Sequence, residues 1–70
     1  MNRTPVASSN LHSVGYDPTS QTLEIEFHGG EIYHYFGVPE AVHKTLMAAD
    51  SHGEYFQNHI REVYSYEQVS

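Results

Sequence analysis

Thr22-Leu23-Glu24-Ile25-Glu26-Phe27-His28-Gly29-Gly30-Glu31-Ile32-Tyr33-His34-Tyr35-Phe36 reads as two strands joined by a glycine turn. The first half alternates strictly and puts Leu23, Ile25 and Phe27 on one face. Gly29-Gly30 reverses the chain, and Glu31 to Phe36 returns as the partner strand. The loop length then decides which rings are buried. A two-residue Gly-Gly loop pairs Ile25 with His34 and leaves Tyr33 and Tyr35 opposite Glu26 and Glu24 on the wet face. A three-residue loop with a glycine in the left-handed region shifts the pairing by one. Tyr33 then faces Ile25, Tyr35 faces Leu23, and His34 opposes Glu24 outside. The second register is favoured, because it buries both tyrosines and keeps a histidine out of the core. It turns Ile32 and Phe36 outward.

Upstream, residues 1–5 read as a loose terminus, and Val6 to Tyr16 carries Leu11, Val14 and Tyr16 as a strand. Asp17-Pro18-Thr19-Ser20 is a turn, with proline presetting φ and aspartate accepting a local backbone bond. Downstream, Val38-Pro39-Glu40 opens a helix with proline at the first helical position and an acid in the first turn. Val42, Leu46 and Ala49 make it a short amphipathic helix ending near Asp50. Ser51-His52-Gly53-Glu54 fits a capping box and opens a second helix with the stripe Phe56, Ile60 and Val63. Tyr64 to Val69 reads either as a frayed helix end or as a short final strand. The expected fold is a single α+β domain over residues 1–70. It is a three-stranded antiparallel meander followed by two helices packed on one face, with the short C-terminal strand left open. Its core signature is Leu23, Ile25, Phe27, Tyr33, Tyr35, Phe56 and Ile60.

Seventy residues without a cysteine leave no disulfide framework and no thiolate zinc site. Stability must come from an aromatic core or from oligomerisation. No stretch approaches the roughly 18 apolar residues of a membrane span, and the N-terminus carries no apolar signal region. The expectation is a soluble, non-secreted, cytoplasmic protein. Nine acidic residues against three basic ones give a formal charge of −6 with the histidines neutral. That balance opposes non-specific binding to phosphate backbones.

The residues of catalysis are not assembled in the sequence. There is no cysteine nucleophile and no Gly-x-Ser-x-Gly elbow, and no serine is tied by spacing to a histidine and an acid. Glu24 and Glu26 read as a solvated face that discourages edge pairing. His43 has only Glu40 at helical spacing as a co-ligand. His52 and His59 are roughly 10 Å apart along a helix, too far to share one zinc with ligands about 2.0–2.1 Å from the metal. His28 and His34 meet only across strands. No enzyme activity, metal or cofactor is expected. Tyr33 and Tyr35 read as core residues with hydroxyls at the rim. Their alternative, a stacking platform for a base or a peptide aromatic, lacks flanking cations. The candidate binding residues are Ser51, Gly53, Tyr55, Asn58 and Arg61, around the start and exposed flank of the second helix. Ser51 caps, Gly53 permits close approach, and the first-turn amides are free for an anion. The alternative has Asn58 bonded to backbone and Arg61 paired with a glutamate.

Ser8-Ser9-Asn10, Val14-Gly15-Tyr16, Leu23-x-Ile25-x-Phe27, Tyr33-x-Tyr35, Val38-Pro39, Ser51-x-Gly53 and Tyr55-Phe56-x-Asn58-x-Ile60-Arg61 occur in an ordered set. Together they resemble the KTSC domain, from about Val6 to Val69. That module occurs at the C-terminus of some lysyl-tRNA synthetases and as stand-alone bacterial proteins. The resemblance implies a binding module with RNA or a ribonucleoprotein component as partner. His52 stands where many relatives carry lysine in a Ser-Lys-Gly pattern, which removes a cation from that loop. The competing expectation is a protein-interaction module or homodimer that uses a sheet edge or the outward Ile32/His34/Phe36 face.

Overall fold

The computed structural model describes residues 1–70. Seven elements follow along the chain: β1 (Arg3–Pro5), β2 (Leu11–Asp17), β3 (Thr22–Phe27), β4 (Ile32–Tyr35), α1 (Glu40–Ala48), α2 (His52–His59) and β5 (Tyr66–Gln68). The strands form one antiparallel sheet in the order β1-β2-β3-β4-β5.

The hairpin takes the three-residue loop. Leu23 pairs with Tyr35, Glu24 with His34 and Ile25 with Tyr33. The Phe27 N–H donates to the Glu31 carbonyl at 2.9 Å and the Gly30 N–H to the Phe27 carbonyl at 2.9 Å. Gly30 closes the loop at φ +97°. A Cβ there would meet nothing within 4 Å, so glycine is required by backbone conformation alone. Gly30→Ala is expected to destabilise the domain by about 1–2 kcal/mol, the cost of forcing an L side chain into that region. Urea denaturation measures it, and an unchanged midpoint would contradict this loop geometry.

Both chain ends are more ordered than local pattern predicts. Residues 1–5, expected to be loose, instead supply β1, with Arg3 opposite Gly15 and Pro5 opposite Ser13. Gly15 makes room for this. A Cβ on it would lie 2.8 Å from the Asn2 carbonyl oxygen and 3.0 Å from Arg3 Cγ. Proline at position 5 is tolerated because β1 is an edge strand. At the other end, the open choice for Tyr64 to Val69 resolves as β5, which places Tyr66 beside Tyr35 and Glu67 beside His34.

The helices differ from expectation in detail. Pro39 is the N-cap of α1, not its first helical residue, and α1 ends at Ala48, two residues short of Asp50. Ser51 caps α2, its hydroxyl accepting from the Glu54 N–H at 3.2 Å. The helix stops at His59, and Ile60 leaves helical geometry while staying fully buried. The expected stripe therefore breaks. Phe56 and Ile60 enter the core, but Val63 is 62% exposed because helical spacing no longer applies to it.

Leu11, Val14, Leu23, Ile25, Tyr35, Val38, Leu46, Phe56 and Ile60 form the buried cluster between the sheet and the helices. Phe27 and Tyr33, expected in the core, are only partly buried and pack against its edge. Phe36 is 40% exposed on the far face, as the register requires. No helix is long and apolar enough to cross a membrane.

Candidate functional site

The five residues singled out from the sequence do not form one site. Ser51 and Gly53 line a hollow against Ser8 and Asn10. Gly53 is buried there, and a Cβ on it would stand 3.1 Å from Ser8 Oγ and 3.5 Å from Asn10 Nδ2. Ser8 Oγ already accepts from the Asn10 and Leu11 N–H groups at 3.2 Å each. The close approach that Gly53 permits is thus to the chain's own loop, and the Ser51 hydroxyl is occupied as a cap. Tyr55 turns its ring onto His59, with centroids 4.6 Å apart. Asn58 is exposed. Arg61 donates to Gln57 Oε1 at 3.1 Å, not to a glutamate, and reaches a second, different hollow.

That second hollow is a cleft of about 570 Å³ between the hairpin end of the sheet and α2. Its floor is a continuous set of rings. Phe27 meets Tyr33 edge-on at 5.6 Å and Phe56 at 5.6 Å. Tyr35 meets Phe56 at 5.3 Å and Tyr66 at 5.6 Å, and Tyr66 lies 5.9 Å from Tyr33. Strand alternation brings them together, because Tyr33 and Tyr35 share the parity that β5 continues with Tyr66 and Gln68. The Tyr33 hydroxyl donates to Gln68 Oε1 at 3.3 Å. Burial pushes the Tyr35 hydroxyl up to about 12, and the neighbouring Tyr33 and Tyr66 add to the shift.

The rim is polar and comes from three separate segments. Asn10 and His28 flank one side, with His28 Nε2 donating to the Ser8 carbonyl at 2.6 Å. Glu31 stands at the hairpin end, and Gln57, Arg61 and Glu62 stand at the α2 end. Sequence reasoning found Arg61 and the tyrosines but missed Asn10, His28, Glu31 and Tyr66 as neighbours. The parity of Tyr66 with Tyr35 would have been the signal, once β5 was placed.

The opposite sheet face is occupied by charge. Glu24 and Glu26, expected to be solvated, are instead bridged by Arg3, which lies 2.7 Å from Glu24 and 3.4 Å from Glu26. His34 Nε2 lies 2.7 Å from Glu24 Oε1, and the Ser13 hydroxyl donates to Glu26 at 2.8 Å. The Glu24 side chain is only 12% exposed. Burial by itself raises its carboxyl, but the bonds from His34 and Arg3 outweigh that and hold it below the ordinary value of 4.5. The folded state then binds fewer protons than the unfolded chain. The contribution of Glu24 is fully present above about pH 4.5 and lost as pH falls through the folded value. Thermal melts from pH 7 to pH 3 are expected to show this acid limb, and Glu24→Gln to flatten it. An equally steep limb in the variant would remove Glu24 as its cause.

No group of three or more His, Cys, Asp or Glu side chains is placed to hold a metal. What the cleft offers is apolar ring surface, two carboxamides, one imidazole, one guanidinium and two carboxylates.

Comparison with known proteins gives consistent relatives. The profile of the KTSC domain matches residues 7–66. An uncharacterised protein of Stutzerimonas stutzeri is 48% identical over 56 residues, which cover 80% of this chain and 79% of that protein. A lysine–tRNA ligase of Nostoc sp. is 49% identical over 62 residues, 89% of this chain but 11% of the ligase. The crystal structure of a KTSC domain protein from Yersinia pestis superposes with a TM-score of 0.93 at 40% identity, covering 99% of this chain and 97% of that one.

Proposed function

Because this chain belongs to the KTSC domain family, we propose that it is a non-enzymatic binding module whose site is the aromatic cleft and whose partner is a polypeptide of the translation apparatus. The segment shared with lysine–tRNA ligases supports the setting. That reading puts its work in the cytoplasm. The cations carry the choice of a polypeptide over RNA. Of the three in the chain, Arg3 is engaged by Glu24 and Glu26, and Lys44 lies on α1 outside the cleft. Arg61 alone serves the cleft, and Glu31 and Glu62 share its rim. A surface that follows a phosphate backbone needs several unpaired Lys or Arg.

A second reading has a specific observation behind it. Exposed rings beside a guanidinium and two carboxamides also suit an unpaired base stacked with its phosphate on Arg61. Capture from native lysate with and without RNase separates the two. The expected result is the same translation protein retained after RNase and lost with Tyr66→Ala. Loss of that protein on RNase treatment would favour RNA instead. So would oligouridylate binding at about 50 mM salt that weakens steeply as salt rises.

A further inference from the structure

Resting on the reading that the aromatic cleft is the binding site, we infer that it recognises one basic side chain, a lysine ammonium or an arginine guanidinium, presented by an extended polypeptide segment. The cation sits at the hairpin end. There Phe27 and Tyr33 stand at 86° to one another, and Tyr66, the strand partner of Tyr35, reaches to within 5.9 Å of the Tyr33 ring, tilted 48° to it. Ring faces carry the negative lobe of the quadrupole and attract a cation placed over them. Tyr33 is half-buried and Tyr66 is 57% exposed, so ring surface remains open to a ligand.

Glu31 supplies the counter-charge. It shares strand parity with Tyr33 and Tyr35, and its carboxylate lies over Gly29, where any side chain at that position would collide with it. The charge pairs of the fold use Glu24 and Glu26 and leave Glu31 unpaired. The other end of the cleft is unlike it. Glu31 and Tyr35 are about 13 Å apart along the strand at ~3.3 Å per residue, and Arg61 acts on the Tyr35 end, where it is tied to Gln57. A basic side chain meets an unopposed carboxylate at the Glu31 end, whereas at the other end Arg61 offsets Glu62, and that difference favours one orientation. The formal charge of −6 draws such a segment in from solution.

The test uses two seven-residue Gly/Ser peptides that differ only in a central arginine or glutamine, titrated into the full chain at low salt and read by amide NMR. The arginine peptide is expected to bind about ten-fold tighter and to shift Gly30, Glu31 and Tyr33. Glu31→Gln should remove that margin, and Arg61→Gln should not weaken binding. Both altered side chains are exposed, and thermal melts confirm that the variants fold. Equal binding of the two peptides, or arginine-peptide shifts confined to another face, overturns the inference. Displacement of the arginine peptide by oligouridylate with shifts centred on Arg61 also overturns it. If Tyr66→Ala still abolishes capture of the translation partner while the peptides bind alike, the cleft stands and only the basic ligand falls. If the arginine peptide binds at Glu31 but Tyr66→Ala retains the partner, the ligand stands and the functional reading falls.

Discussion

Tyr35→Ala is expected to remove roughly half of the chain's stability at 25 °C. Tyr35 is 3% exposed, pairs with Leu23 across the hairpin, and meets the rings of Phe56 and Tyr66. It therefore links β3, β5 and α2 through one side chain. Truncating a buried aromatic to alanine costs about 3–5 kcal/mol. A domain of this length has only about 4–10 kcal/mol in total. Far-UV circular dichroism with urea titration reads the outcome, and a midpoint near that of the unaltered protein would contradict this placement of Tyr35. Tyr35→Phe keeps the ring and is expected to fold.

That second variant isolates the other large effect, a loss of stability in alkali. The folded state holds the Tyr35 proton up to about 12, whereas the unfolded chain releases it near 10. Above pH 10 the folded state binds more protons, so stability falls as pH rises toward 12 and is unaffected below 10. Two pH units correspond to about 2.7 kcal/mol. Urea midpoints at pH 9 and pH 11.5 should separate in the unaltered protein by much more than in Tyr35→Phe. Parallel loss in both would assign the alkaline limb to other groups.

The hairpin register was legible because only one parity of β4 buries both tyrosines beside Leu23 and Ile25 while keeping His34 out of the core. The start of α2 was legible because a capping box acts over three residues. What local rules missed depends on distant partners. The ordering of β1 rests on Arg3 reaching Glu24 twenty-one positions away, which no periodicity in residues 1–5 reveals. The cleft needs β5 to return beside β4 and bring Tyr66 to Tyr33, so the sequence favoured the tyrosines as core over a stacking platform. The candidate site was half-read for a related reason. Ser51 and Gly53 have the features of an anion site, yet the fold uses both internally, as a cap and as a point of close packing against Ser8. Arg61 was found because a cation in so acidic a chain stands out, while Glu31 was lost among the other acids.

A sheet whose strands lie side by side in chain order sends its two termini off opposite edges. Four strand spacings of about 4.8 Å put roughly 19 Å between those edges, with the cleft on the β5 side, where Tyr66 lines it. The two ends are therefore unequal as handles. A linkage through Met1 leaves the cleft unobstructed, while one attached after Ser70 crowds its mouth. Surface-immobilised protein is expected to bind its partner when tethered by the first residue and to lose much of that capacity when tethered by the last.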